Sequence, residues 1–388
     1  MNEIETGLIK CLLSSNTCTI RGLSASTGFS VPTVTKHLNQ LCDSGAVIRL
    51  GKAKENKGRQ AAVFGVNPDY AYFIGVDIKH NEFIIAAMDF AGTQLALVRN
   101  EQQLQNTPEM LETICVGIEA FISDSGLPEH KIALINLNLG GRVNTRTGFS
   151  YSEFNFEDHD EPLAVVLTHR LGVRVCIEND TRAMAFGEWQ EGCCAGMQSV
   201  LFINAGWGIG MSVILEGHQY YGADGYAGEL GHTNVYDNQV ICHCGKKGCL
   251  ETEVSGRALS RKLREALAQG KTSILPAKED VDEYDIIDAI NKEDALCIEL
   301  IEQAGAEMGR QIANLINVFN PEAVVVGGSL LTAGDYYFQP LVQAVRKYSL
   351  RLLNKNVRIL KSTLGEMAGV RGACLLARKS FNNIATFA

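Results

Sequence analysis

Between Glu229 and Glu251 the chain reads ELGHTNVYDNQVICHCGKKGCLE, which sets one His and three Cys at the spacing of metal ligands between two carboxylates. His232, Cys242, Cys244 and Cys249 offer an imidazole and three thiolates, a set that closes a tetrahedral zinc site and leaves no position for water. Such an ion is structural. Cys-x-Cys-Gly-x-x-Gly-Cys also supplies the glycines a backbone needs to turn tightly round a metal. The bland alternative is a reduced, metal-free cluster of buried side chains. A closed ligand set argues against a zinc-sensing role, because sensing requires exchange.

The 388 residues, 46% hydrophobic and 20% charged, allow two or three domains with proper cores. No apolar run reaches the length of a membrane span, and the N-terminus lacks a secretory signal. With twelve Cys outside any paired framework, these features point to the cytoplasm and no membrane partner. The net charge of −9 on its face argues against nucleic acid, but it is unevenly spread. Residues 1–65 hold eight Lys or Arg against four acids, +4, which leaves −13 for the remainder. A small basic module on an acidic body follows.

Ile4, Leu8, Ile9 and Leu12 recur at helical spacing, and a second short helix begins near Ile20 and stops at Gly28. Ser30 and Pro32 open a third, with Val34, Leu38 and Leu41 as its apolar stripe and Thr33, Lys36, His37 and Gln40 opposite. This is a helix-turn-helix arrangement, whose last helix turns its polar face to base edges. Strands AVIRL and AAVFGV follow, joined by GKAKENKGRQ, so that Lys52, Lys54, Lys57 and Arg59 form a wing suited to phosphates. A solvated basic loop is the competing reading. Asn67-Pro68 closes a domain over 1–68. Beyond it strands alternate with helices, the pattern of an α/β body. Two segments each open on a hairpin, YFIGVDI with FIIAAMDF and LFINAG with GMSVIL. They divide the body into lobes over 69–195 and 196–388, with a cleft between them and the zinc loop in the second.

AGWGIG followed by GADGYAGELGH resembles the signature of the ROK family (repressors, open reading frames and sugar kinases), and CHCGKKGCLE resembles its zinc motif nearly residue for residue. KGRQAAVFGVNP is similar to the Gly-Arg-Pro-rich wing of the family's regulators of the xylose- and N-acetylglucosamine-repressor type, with Gln60 where Pro is usual. The resemblance covers almost the whole chain. It implies a winged helix-turn-helix followed by a two-lobed actin/hexokinase-like (ribonuclease H-like) sugar-kinase fold. It also implies a sugar held in the cleft by Asn155, Asn179, Asp180, Glu229, His232 and Glu251, with Asp180 the general base where a kinase survives. Carboxylates and amides suit neighbouring hydroxyls. Taken singly, Asp180 at a strand end also reads as a helix cap.

Kinases of the family follow GVDI with a Gly-Gly-Thr-Lys-like turn, whereas this chain has Lys79-His80-Asn81-Glu82, without the glycines that let backbone approach a phosphate. Glu82 is expected to carry negative charge toward a triphosphate. The second phosphate turn reads Gly206-Trp207-Gly208, where Trp adds bulk and removes a hydroxyl unless it points into a core. Gly327 and Gly328, on the adenosine side, are kept, although a strand ending in a turn needs glycine anyway. These departures argue against Mg2+ and ATP. The expectation is a sugar-responsive regulator, a repressor in its simplest form, that binds operator DNA and a sugar or sugar phosphate. A homodimer or dimer of dimers would set two winged helices on a palindromic site. The alternative is an ATP-dependent hexose or amino-sugar kinase with an added DNA-binding domain.

Overall fold

The structure, a computed structural model, describes residues 2–54, 60–155, 161–276 and 281–384, so Lys57 and Arg59 of the expected wing lie outside the described residues. The chain forms two compact units, Met1–Asn179 with Val370–Ala388, and Asp180–Gly369.

The first unit begins with α1 (Glu3–Ser15), β1 (Cys18–Thr19), α2 (Ile20–Thr27), α3 (Val31–Asp43), β2 (Val47–Lys54) and β3 (Gln60–Val66), the strands ordered β1-β3-β2. A polar side chain starts each helix: Asn2 accepts from Glu5 N in a capping box, Thr19 from Gly22 N and Ser30 from Thr33 N. Gly28 ends α2 at φ 76°, a left-handed cap that glycine adopts freely. The helix-turn-helix and wing therefore form as the residue pattern requires, with β2 running on into the Lys-rich segment.

Next come β4 (Tyr72–Ile78), β5 (Glu82–Asp89), β6 (Gln94–Glu101), α4 (Pro108–Ser125), β7 (Ile132–Leu139), β8 (Val143–Asn144), β9 (Phe149–Ser150), α5 (Leu163–Leu171) and β10 (Val175–Asn179). Their main sheet is ordered β10-β7-β4-β5-β6. One face packs Ile74, Val76 and Ile85 against Ile114, Ile118 and Leu167 of α4 and α5. The other is roofed by the winged helix, because Phe73, Phe90 and Leu134 share one apolar cluster with Leu8, Leu12, Leu23 and Leu38. Phe381 joins it, with ring centroids 5.6 Å from Phe73 and 6.3 Å from Phe90.

The second unit holds α6 (Asp180–Glu191), β11 (Val200–Ala205), β12 (Ile209–Leu215), β13 (His218–Tyr220), α7 (Glu251–Val254), α8 (Gly256–Ala268), α9 (Glu283–Asn291), α10 (Ala295–Phe319), β14 (Ala323–Gly327), α11 (Asp335–Tyr348), α12 (Arg351–Asn354) and β15 (Arg358–Lys361). Its sheet, β13-β12-β11-β14-β15, repeats the connectivity of the first: an antiparallel three-stranded meander, then two parallel strands. The final helix, α13 (Ala368–Ile384), belongs to the first unit from Val370 onward.

Three boundaries differ from expectation. The division falls after Asn179 and not after residue 195, because Ala185 of α6 shares a core with Val200, Phe202, Ile214 and Val325. The C-terminal helix leaves the second lobe because it packs on the first sheet, so closely that a side chain at Gly75 would come within 2.7 Å of the Cys374 backbone. Residues 1–68 do not separate as a unit, since their core is continuous with the sheet. Among the described residues no helix is long and apolar enough to cross a membrane.

Glu188 of α6 is fully buried and accepts from Cys193 N (2.9 Å), Leu364 N (2.6 Å), Ser362 Oγ (2.6 Å) and Thr363 Oγ1 (3.1 Å). Burial works to raise this carboxyl, but its donors prevail and hold it below the ordinary range. Its contribution is present above the unfolded carboxylate value of about 4.3 and is lost as pH falls. We expect Glu188→Ala to lower the unfolding free energy by about 2–4 kcal/mol in urea at neutral pH, with a smaller difference near about pH 3.

Candidate functional site

The turn Leu230–His232 and two isolated antiparallel bridges, Asn234 to Cys249 and Ile241 to Lys247, fold the loop after β13 back on itself. The ligand atoms of His232, Cys242, Cys244 and Cys249 then lie within 4.8 Å of one another. Cys244 Sγ is 3.7 Å from Cys249 Sγ, and Cys242 Sγ is 3.6 Å from His232 Nδ1. Tetrahedral zinc, with bonds of ~2.3 Å to sulfur and ~2.0–2.1 Å to nitrogen, needs edges of ~3.8 and ~3.6 Å, so the donor set fits. Gly248, at φ 75°, is required here, since a side chain would come within 2.1 Å of Tyr236 O. Burial pushes the Cys242 thiol up to about 12. A bound divalent cation opposes that by taking the thiolate.

His232 turns its other nitrogen outward, with Nε2 3.8 Å from Glu229 Oε2. Glu251, first residue of α7 and 6% exposed, accepts from Ile209 N at 3.2 Å through Oε2 and from His243 Nδ1 at 2.8 Å through Oε1. Burial raises its carboxyl, while His243 and the Ile209 N–H outweigh burial and keep it below the usual carboxylate range. Asp180 heads α6: Oδ1 accepts from Thr181 N at 2.6 Å, and Oδ2 lies 3.5 Å from Asn204 Nδ2. The loop therefore gathers Glu229, His232 and Glu251, whereas Asp180 is held by its own helix start and Asn204. In the first unit, Asn179 Nδ2 donates to Gly141 O at 3.0 Å. Asn155 is exposed and lines a cavity of about 20 Å³, room for no more than a water.

The nucleotide-side turns satisfy themselves internally. Contrary to the expectation from sequence, Glu82 does not project a bare charge. Its Oε1 is 2.9 Å from Lys79 Nζ and its Oε2 is 3.2 Å from Arg99. That pairing also occupies the turn's lysine. Gly206 N donates to Gly208 O at 3.1 Å across Trp207, which is half-buried with the Arg257 guanidinium 5.6 Å from its ring, so it does not point into a core. Gly328, at φ 95°, is fixed by strand packing: a side chain there would come within 2.3 Å of Ala205 O. Beside it, Ser329 Oγ donates to Glu283 Oε1 at 3.2 Å, and buried Glu283 Oε2 has no hydrogen-bond partner among the described residues.

On α3, Lys36 and Gln40 are exposed, while Thr33 and His37 are half-buried. Thr33 Oγ1 is 2.8 Å from the Ser30 cap, and His37 Nδ1 is 3.3 Å from Glu5 Oε1. Lys52 is exposed on β2, and Lys54 ends that strand. Sequence reasoning passed over three polar residues. Asn204 and Glu283 sit in ordinary strand and helix-start patterns with no local signal. His243 stood in plain view between two cysteines but read as a spacer.

Residues 73–380 match the ROK family. A putative xylose repressor from Caldicellulosiruptor sp. (strain Rt8B.4) is 28% identical over 373 residues, 94% of this chain and 92% of that protein. A glucokinase from Halalkalibacterium halodurans is 30% identical over 323 residues, 81% of this chain and 97% of that protein. The crystal structure of a ROK family transcriptional regulator, a homolog of the E. coli MLC protein, matches with a TM-score of 0.83 at 24% identity, covering 99% of this chain and 97% of that one.

The Glu283 carboxyl, 2% exposed, is raised to about 7 by burial, with Asp282 adding to the effect. A raised acid supports the fold below its unfolded value, and that support is lost as pH climbs through the folded value. Ionised Glu283 therefore costs roughly 3 kcal/mol above about pH 8. Glu283→Gln keeps an acceptor for Ser329. Calorimetry should give it a higher Tm than wild type at about pH 8 and nearly the same Tm at about pH 5.

Proposed function

This chain belongs to the ROK family, and from that premise we propose that it is a sugar-responsive transcriptional repressor whose kinase-like body binds a carbohydrate and no longer holds the phosphates of ATP. The observation that carries this reading is the winged helix, built into the same core as the first sheet. The extent of the likenesses agrees: the repressor relative covers 94% of the chain and the glucokinase 81%. Lys36, Gln40 and Lys52 are exposed on the recognition helix and wing, and with Thr33, His37, Lys54, Lys57 and Arg59 they make up the proposed operator contacts.

Asn155, Asn179, Asp180, Glu229, His232 and Glu251 are the proposed sugar ligands. Zinc on His232, Cys242, Cys244 and Cys249 is structural, and its task is to hold Glu229, His232 and Glu251 rigid. The body dimerises to present two winged helices to a palindrome in the cytoplasm. The sugar changes operator affinity by binding the DNA-competent and DNA-incompetent conformations unequally. A second reading, an ATP-dependent sugar kinase, is favoured by the 30% identity to a glucokinase and by the retained Asp180.

Lys36→Ala combined with Arg59→Ala should weaken operator binding in gel shifts by at least about tenfold and leave sugar affinity unchanged. Wild-type affinity in that variant would refute the DNA contacts. ADP release over a panel of hexoses and amino sugars should stay at background; sugar-dependent turnover that Asp180→Asn removes would restore the kinase. Cys244→Ser should lose zinc by elemental analysis, lower the Tm and abolish sugar-induced thermal shifts together.

A further inference from the structure

Two carboxylates at the ends of the Cys/His loop each face one of two imidazoles that touch edge to face. Glu229 faces His232 Nε2 at 3.8 Å, and Glu251 accepts from His243 Nδ1 at 2.8 Å. The rings meet edge to face, their centroids 5.0 Å apart. His232 belongs to the Cys/His ligand set and His243 does not, although the ligand atoms of His232, His243 and Glu251 also lie within 4.8 Å of one another.

Glu251 has little freedom. Its Oε2 is committed to the Ile209 N–H in a backbone recess so tight that side chains at Gly208 and Gly231 would stand 3.1 and 3.3 Å from it. Only Oε1 remains for other work. That oxygen lies 3.8 Å from Cys242 Sγ, and a zinc ion with three thiolates and one imidazole carries a net negative charge. A buried carboxylate in that position needs a donor from another side, or it rotates or takes up a proton. His243 is the donor. Its backbone is fixed by the ligands Cys242 and Cys244 on either side, and Gly245 N closes the turn onto Cys242 O at 2.9 Å. Its side chain is nevertheless 49% exposed, so burial does not explain its place there.

We infer that His243 is a positioning residue of the sugar site: its Nδ1–H fixes the direction of Glu251 Oε1 and thereby selects which hydroxyl of the ligand the carboxylate reaches. The inference rests on the sugar-binding reading and adds to it the residue that sets selectivity. Because it concerns a hydrogen bond from one ring nitrogen, replacements can be chosen by geometry. Asn places its amide N–H₂ close to where Nδ1 stands, whereas Gln reaches the position of Nε2.

The test uses the full-length, zinc-loaded protein with D-xylose, D-glucose and N-acetyl-D-glucosamine as probes, binding being followed by calorimetry and zinc by elemental analysis. For the best-bound probe, His243→Ala should weaken affinity about ten- to hundredfold and shrink the preference among the three. His243→Asn should recover most of both, and His243→Gln should not. Zinc content and sugar-free operator binding should match wild type in all three variants. Affinity within about twofold of wild type in His243→Ala, with Glu251→Gln inactive, would overturn the role of His243 and leave the sugar site standing. A loss that tracked zinc content, or equal behaviour of the Asn and Gln variants, would also overturn it. Wild-type protein that bound none of the probes would remove the sugar reading and this inference together.

Discussion

Close packing of cysteine, histidine and carboxylate side chains in the loop between Glu229 and Glu251 constrains this part of the second unit. The ligand atoms of three cysteines and His232 lie within 4.8 Å of one another, as do those of His232, His243 and Glu251, and a buried carboxylate such as Glu251 persists only when donors surround it. The surrounding residues follow from this. Two imidazoles take one carboxylate each, the Ile209 N–H takes the free oxygen of Glu251, and glycines at 208, 231 and 248 let the backbone approach where any side chain would collide. A site so constrained positions groups well and tolerates little adjustment, which suits recognition of a rigid ring of hydroxyls.

The nucleotide side obeys the opposite rule. Its charged groups have local partners: Glu82 pairs with Lys79 and Arg99, Arg257 lies over the Trp207 ring, and Glu283 accepts from Ser329. Phosphate oxygens attract a protein when lysines and backbone N–H groups are left available to them. Lys79 and Arg99 are here engaged by Glu82, which agrees with the proposed loss of phosphate binding.

Local chemistry was readable from the residues. The cap at Ser30, the hairpins and the Cys/His loop each depend on neighbours a few positions away, and each formed where the pattern placed it. Distant pairings were not readable. The edge strand β6 exposes alternate residues and carries no continuous apolar run, so its presence was hidden, and with it the Arg99 that neutralises Glu82 from seventeen positions away. His37 looked free on a helical wheel because Glu5 lies in another helix. The return of α13 to the first sheet leaves no local trace, since it is decided by which strands close the core, and the shared connectivity of the two sheets showed only in their opening hairpins.

The roof over the first sheet bears on how such a protein can change over time. Phe73, Phe90 and Leu134 would keep only the cover of α13, through Ala377 and Phe381, if the winged helix were absent, because the opposite face of that sheet is already spent on α4 and α5. A shortened gene beginning at Tyr72 would encode a body with a partly uncovered aromatic face, prone to self-association. Gain of the DNA-binding segment is therefore hard to reverse by deletion alone. A lineage returning to a free-standing kinase-like body would first need polar replacements at those buried positions.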